Sequence, residues 1–392
     1  MSVFAAVMTG KGTGAISTVQ LFGKNSKTIL KKIFKPATTK PAKFKTGEII
    51  LGEIIDGSET IDQVMVGCEG PNNFAINCHG NPLIVEMIMR LLAQHGAALL
   101  TAEQLLCKIL ASDKSNGTIT LEAKLTQPKA KTLQGTKIIA NQIETGLNKK
   151  LADWLKNINE LLLDEIKTSI DIILKNSQIA KLIIFGCRVV IAGPPNTGKS
   201  TLLNCLSGRQ KAIVTPIAGT TRDWVSASCR IDPLAIELID TAGLDGKPST
   251  TKDTIEEVAQ GVSAEILENA DLVLLVLDNS ESDQVENWPF EKIAHKKVLT
   301  VLNKSDLPAR LDTSKLPPSL AQAVKISAKF GTGIAELTEK IRWLTGAADF
   351  DLKTTACFTS RQEDLLKQLK DAKSKDQATS LVTELLNGKL RV

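Results

Sequence analysis

The first 47 residues contain no aspartate and no glutamate; the earliest acid is Glu48. Lysines crowd this stretch instead, at Lys24, Lys27, Lys31, Lys32, Lys35, Lys40, Lys43 and Lys45. Two readings stay open, a basic face for RNA phosphates or a solvated surface helix and loop. Aromatic residues make up only 4% of the chain. Only Phe34 and Phe44 interleave the lysines, so recognition by base stacking is not indicated. No uncharged apolar run approaches the length of a membrane-spanning helix. The opening MSVFAAVM lacks a basic flank and a cleavage-like site, and does not read as a signal peptide. The seven cysteines are odd in number and form no CxxC pair, which fits reduced thiols rather than a disulfide frame. Cys78-His79 has no second pair at ligand spacing, and His95 and His295 stand alone, so no structural metal is expected. These absences predict a cytoplasmic protein with no membrane partner.

What is present is an ordinary globular composition. The chain has 392 residues, 43% of them hydrophobic, enough for two or three domains with their own cores. A net charge of +5 is too mild to demand a nucleic-acid partner.

Near the middle runs VVIAGPPNTGKSTLLNCLSG, from Val189 to Gly208. It satisfies G-x-x-x-x-G-K-[ST], with a β-branched strand before it and a helical run ending at glycine after it. Glycine lets main-chain amides converge on phosphate oxygens at a helix N-terminus, where the dipole favours negative charge. Asn196, Thr197, Gly198, Lys199, Ser200 and Thr201 are the expected phosphate contacts. Lys199 is expected to reach the β- and γ-phosphates and Ser200 to ligate Mg²⁺.

IELIDTAG then places Asp240 at a strand end, followed by Thr241, Ala242 and Gly243. That carboxylate can hold Mg²⁺ through water, and the Gly243 amide can sense a γ-phosphate. VLTVLNKSD brings Asn303, Lys304, Ser305 and Asp306 to another strand end. Guanine presents N1–H and an exocyclic amine together, and Asp306 can accept both. Adenine would leave the carboxylate unpaired, a loss that can discriminate by on the order of 10⁴. Asn303 is expected to tie this loop to the phosphate loop, and Ser327, Ala328 and Lys329 of ISAKFGTG to close over the base. Four motifs in this order, each after a strand, predict a guanine-nucleotide domain. The strands RVVIA, SASCRI, AIELID, LVLLVLD, VLTVLN and AVKIS alternate with helical stretches from about 198, 254, 284 and 334. The expected fold is α/β, a doubly wound, mostly parallel P-loop sheet with ligands at the strand carboxyl ends.

Leu244 follows the DTAG glycine, and an apolar side chain cannot align water, so catalytic help must come from elsewhere. VTPIAGTTRD between the phosphate loop and the second strand offers Thr215, Pro216, Ile217, Ala218, Gly219, Thr220 and Thr221 to line the nucleotide. Thr221 could complete the Mg²⁺ shell. Asn196 together with AGTTRD resembles the potassium-dependent GTPases of the translation-factor-related class. That resemblance implies a K⁺ site from Asn196 and the main chain of Thr215, Ile217 and Thr220. The ion would supply the charge an arginine finger gives other GTPases; Arg222 is better read as a loop anchor.

VVIAGPPNTGKSTLLNCLSGRQKAIVTPIAGTTRD, LIDTAGL, NKSD and SAKFGTG resemble the MnmE (TrmE) family of tRNA wobble-uridine modification GTPases almost residue for residue. The resemblance extends weakly to FAAVMTGKGTGAISTVQLFG, IDQVMVGCEGPNNFAINCHGN, PLIVEMIMRLLAQHGA, the LQG at Leu133–Gly135, and TSRQEDLLKQLKDA. It implies an N-terminal α/β domain related to tetrahydrofolate-binding proteins over 1–106, which makes a homodimer. It implies a helical domain from 107–185 and 348–392, with the G domain, 186–347, inserted between them. It also implies K⁺-stimulated hydrolysis with G-domain closure, a flavin-containing partner, and tRNA as the macromolecular target. The family's water-orienting glutamate maps to Glu256 in TIEEVAQ, beside Glu257, and makes Glu256, Lys199 and Thr221 the catalytic set. One segment reads against the family: NGTITLEAKLT has a strand pattern where a helix is implied.

Three departures fall where the family contacts formyl-tetrahydrofolate. Gln20 stands where the family has arginine, PNNFAINCHG replaces the TGED stretch, and GAALLTAEQLLCKIL replaces the Pro-Gly-Glu-Phe-Thr segment. A charged folate needs compensating groups, and none is visible there. The family closes on Phe-Cys-Ile-Gly-Lys, while here no cysteine follows Cys357, itself read as a small buried hydrophobe. The alternative to tRNA modification is therefore a divergent GTP-driven conformational switch without folate chemistry. A third reading, a nucleotide-binding scaffold without turnover, is opposed by the intact Asn196, Lys199, Ser200, Thr221 and Asp240.

Overall fold

A computed structural model describes residues 2–10, 12–38, 44–112, 117–208, 225–240, 266–284 and 288–388. The chain divides into two compact units, Met1–Leu121 and Glu122–Gly388.

In the first unit, β1 (Val3–Val7), β2 (Ile16–Phe22), β3 (Phe34–Pro36), β4 (Ile49–Asp56), β5 (Glu59–Gly70), β6 (Asn73–His79) and β7 (Ala97–Leu99) form one sheet. Its order is β3-β4-β5-β6-β2-β1-β7, antiparallel except for the β1–β7 pair. Helices α1 (Ser26–Ile33) and α2 (Pro82–Gln94) pack on one face. Val19, Leu21, Val64, Val66, Phe74 and Ile76 alternate inward from the strands to meet Leu30, Ile33, Ile88 and Leu92. α2 starts sharply because Asn81 caps it through Leu83 N–H and Pro82 occupies its first turn. α3 (Ala102–Ser112) lies against β1, while over β4 and β5 the same face keeps Ile49, Leu51 and Met65 exposed.

α4 (Thr118–Thr126) crosses the boundary between the units. This corrects the strand expected from NGTITLEAKLT. The buried positions, Thr118, Ile119, Glu122, Ala123 and Thr126, recur with helical rather than alternating spacing. The β-branched composition misled because tertiary contacts override a weak local preference.

The second unit holds α5 (Leu133–Glu144), α6 (Leu147–Asn157) and α7 (Leu163–Phe185), then a six-stranded sheet, then two closing helices. The sheet comprises β8 (Cys187–Ala192), β9 (Val225–Ile231), β10 (Leu234–Asp240), β11 (Leu272–Asp278), β12 (Val298–Asn303) and β13 (Ala323–Lys325). Its order, β13-β12-β11-β8-β10-β9, is parallel except for β9 against β10. Every residue of β11 is buried, as expected for a parallel strand covered on both faces. α8 (Lys199–Ser207) follows β8, and α9 (Ile334–Thr345) follows β13. The helix expected from about 284 is absent among the described residues, where only a short 3₁₀ turn, Phe290–Lys292, forms after Pro289. Proline removes the amide and restricts the residue before it, so the run cannot propagate. The helix expected from about 254 lies outside the described residues.

α10 (Ser360–Lys370) and α11 (Lys375–Asn387), which follow the sheet in sequence, pack on the helices that precede it. The Gln142 side chain is buried and donates to Thr354 O at 3.0 Å while accepting from Ala356 N–H. The Glu122 carboxylate accepts from Thr359, Gln362 and, on both oxygens, Arg361. Cys357 is buried, and its amide donates to Ser177 Oγ.

Candidate nucleotide site

β8 delivers the chain to a tight loop whose shape glycine dictates. Gly193 has φ 142°, and a Cβ there would stand 2.1 Å from Val276 O. Gly198 has φ 89°, and a Cβ there would stand 2.3 Å from Asn303 Nδ2. The first glycine seats the loop on β11, and the second admits the base loop. Asn196 also adopts φ 62°, a left-handed conformation that asparagine tolerates better than most residues. α8 then begins at Lys199 with Gly198 as its N-cap, so no side chain caps the helix. Lys199 is buried, and its ammonium donates to Gly193 O and Pro194 O at 2.8 and 2.9 Å, bringing its charge inside the curl of the loop.

Beside it the Ser200 hydroxyl donates to the Asp240 carboxylate at 2.6 Å. Asp240 ends β10, next to β8 in the sheet, and is 2% exposed. A hydroxyl and a buried carboxylate side by side are hard oxygen donors of the kind that would hold Mg²⁺.

At the carboxyl end of β12, Asn303 joins three segments. Its Nδ2 donates to Thr197 O at 2.8 Å, and its Oδ1 accepts from Ala328 N–H at 3.0 Å. Phosphate loop, base loop and the SAKFGTG turn are thus held by one buried amide. Asp306 is exposed, and one oxygen accepts from the Ser327 hydroxyl at 2.6 Å, orienting the carboxylate. The turn itself closes by the Ser327–Thr332 bridge. Gly333 is required below it, since a Cβ there would meet Lys325 O at 2.2 Å. Lys329 is exposed, its ammonium 5.1 Å from the Phe330 ring centre.

One functional residue escaped the sequence reading. Asp278 ends β11 opposite Asn303, is 2% exposed, and pairs with the Lys304 ammonium at 2.5 Å. Burial pushes its carboxyl up, but hydrogen bonds from Lys304 and Ser280 outweigh that and hold it below its ordinary value. The pair fixes Lys304, whose φ of 60° turns the chain so that Asp306 follows at the rim. The signal was present: an acid closing a wholly apolar strand, beside the strand that carries NKSD.

Thr215, Pro216, Ile217, Ala218, Gly219, Thr220, Thr221, Thr241, Ala242, Gly243 and Glu256 lie outside the described residues. Asn196, Thr197, Gly198, Lys199, Ser200 and Thr201 come together at the strand ends with Asp240, Asn303, Lys304, Ser305, Asp306, Ser327, Ala328 and Lys329. Far from this site in sequence, Gln20 is buried, and its amide donates to both Glu69 and Asn73 at 2.7 Å. Its hydrogens are thereby committed within the sheet, with a carboxylate alongside.

Residues 188–304 match the family described as 50S ribosome-binding GTPase, and residues 3–104 the family described as GTP-binding protein TrmE N-terminus. The tRNA modification GTPase MnmE of Clostridioides difficile is 30% identical, covering 93% of this chain and 86% of its own length. That of Enterococcus faecalis is 31% identical over 98% of this chain and 88% of its own, and that of Lacticaseibacillus paracasei 32% over 93% and 86%. Among solved structures, the G domain of the Thermotoga maritima FeoB is 29% identical, covering 40% of this chain and 98% of its own, with a TM-score of 0.33. On the two family matches, the MnmE relatives and the assembled P-loop site, the chain is a GTPase and belongs to the MnmE family of tRNA modification GTPases.

Proposed function

We propose that this chain couples GTP hydrolysis to modification of the wobble uridine of tRNA, K⁺ stimulating turnover and the G domains closing when GTP is bound. The observation that carries this reading is the Asn303 junction. It holds phosphate and base loops in one rigid frame, so a triphosphate bound there is positioned against any segment that closes over it. Lys199 binds the phosphates, and Ser200 would hold Mg²⁺ with Asp240 beside it. Asp306 selects guanine. Asn196, with the main chain of Thr215, Ile217 and Thr220, is the K⁺ site in this reading, and Thr221 adds a Mg²⁺ ligand. K⁺ would supply positive charge beside the transferring phosphoryl group. Glu256 orients water.

Thr215–Thr221 and Thr241–Gly243 enter this reading from their sequence motifs, and Glu256 and the K⁺ ligands from the family resemblance; apart from Asn196, all lie outside the described residues. The division into 1–106, 107–185 with 348–392, and 186–347 belongs to the same reading. It is supported by the helices after the sheet packing on those before it. So do a homodimer through the N-terminal domain, a flavin-containing partner protein, and a cytoplasmic location; no described helix is long and apolar enough to cross a membrane.

Gln20 favours a second reading for the folate step. With its amide donors spent on Glu69 and Asn73, and Glu69 bringing negative charge, the position does not fit a folate carboxylate. The alternative is thus a GTP-driven switch that has lost folate binding and tRNA modification. Steady-state hydrolysis in KCl against NaCl at equal ionic strength tests the main reading. Turnover should rise at least about tenfold in K⁺, the scale of one charge aimed at the transition state. Equal rates in the two salts would remove the potassium site.

A further inference from the structure

We propose that the lysine face of α1 is a docking surface for the phosphate backbone of a folded RNA. The inference rests on the tRNA reading above and names a surface for it.

α1 turns Ser26, Ile29, Leu30 and Ile33 into the core of the first unit. That leaves Lys24, just before the helix, and Lys31 and Lys32 exposed, with Lys27 half-buried and its ammonium 5.9 Å from the Phe44 ring centre. Lys27 and Lys31 stand one turn apart, where like charges repel. None of the four pairs with a carboxylate among the described residues, and the helix carries no acid in its first turn. Lys35 is different, since it faces Glu53 across the β3–β4 ladder, so it is left out of the patch. Four cations thus share one short stretch with no neutralising partner among the described residues, although packing α1 needs only its apolar side. A polyanion would neutralise them together.

The shape and the chemistry of the patch favour a backbone over other anions. It is the outer side of a helix, so it offers a surface and not a cleft for a small anion. No large hydrophobic residue between positions 24 and 35 is exposed, so nothing there would insert into a lipid interface. The nearby aromatic rings, Phe34 and Phe44, are both buried, which removes base stacking. What remains is contact with phosphates, which reads the form of an RNA helix and not its sequence.

The test uses the full chain and an in vitro transcribed tRNA, with anisotropy titrations between about 50 and 200 mM KCl. Replacing Lys24, Lys27, Lys31 and Lys32 with glutamine should weaken binding at least tenfold at about 100 mM. It should also flatten log Kobs against log[salt] by roughly 0.7–0.9 for each lysine that contacts phosphate. GTP turnover should not change, and the fourfold arginine variant should keep wild-type affinity and slope. A scrambled transcript of equal fold should bind alike. Wild-type affinity and slope in the glutamine variant would overturn the proposal. So would a loss shared by the arginine variant, or lysine-dependent binding seen only with phosphatidylserine vesicles. A wild-type chain that binds no RNA would sink the tRNA reading itself, whereas RNA binding indifferent to these lysines sinks only this surface.

Discussion

Asp306 carries the base preference on a single carboxylate. One of its oxygens is oriented by the Ser327 hydroxyl at 2.6 Å, so the group faces the ligand in a set direction. Asp306→Asn keeps the size but turns one acceptor into a donor, which then points at guanine N1–H or the 2-amino group. GTP affinity should fall at least about 100-fold, because donor would meet donor in a site built for acceptance. Xanthosine triphosphate, which has a carbonyl at position 2, should bind the variant better than GTP does. Competition titrations with the two nucleotides check this, and an unchanged preference for GTP would place base recognition elsewhere. Gly198 offers an independent probe of the same frame. Gly198→Ala puts a methyl 2.3 Å from Asn303 Nδ2 at a φ of 89°, so the Asn303–Thr197 bond must break or the loop must shift. Nucleotide affinity should drop at least about tenfold while the melting temperature moves little, since the strain is confined to a loop and its neighbour.

At the scale of elements, the lock between α4 and α10 is the most exposed to a single change. Glu122 is 4% exposed and takes hydrogen bonds from Arg361 on both oxygens, while Arg361 also donates to Glu384 O and Leu385 O in the last turn of α11. Arg361→Met leaves the carboxylate buried with only Thr359 and Gln362 as donors. The loss should be about 3 kcal/mol in urea unfolding, the usual result of stranding one buried charge. Glu122→Leu combined with Arg361→Met should cost less than the single changes added together, because the stranded charge goes too. This lock also explains why α4 was illegible in sequence. TITLEAKLT has strand-like composition, and its helix is decided by partners some 240 positions away. The phosphate and base loops were legible for the opposite reason. Their chemistry is written in contiguous motifs, with glycine wherever the backbone must come close. Asp278 fell between these cases, adjacent to NKSD in the sheet but not in the chain. The run after residue 284 failed for a simpler cause, since Pro289 broke the periodicity the neighbouring residues suggested.

For the whole molecule, the open portion of the N-terminal sheet sets the expected assembly. Leu51 and Met65 are register partners, 49% and 44% exposed, and Ile49 beside them is 72% exposed. On the other face, α1 and α2 bury alternate residues of the same strands. Three large apolar side chains grouped on an exposed antiparallel surface cost free energy in water, and a second copy related by a two-fold axis would present the same group to them. Burial of that face would hold two copies together and bring two G domains into one particle, the arrangement that closure between them requires. Leu51→Glu with Met65→Glu places charge at the centre of the patch without touching the inward-facing core. Sedimentation at micromolar concentration should therefore change from dimer to monomer, with GTP affinity preserved, because the nucleotide site lies wholly in the second unit. If turnover works by closure between copies, its stimulation by K⁺ should fall along with the dimer. A variant that stays dimeric would show that the copies meet through another surface. A monomer with full K⁺ stimulation would separate assembly from hydrolysis.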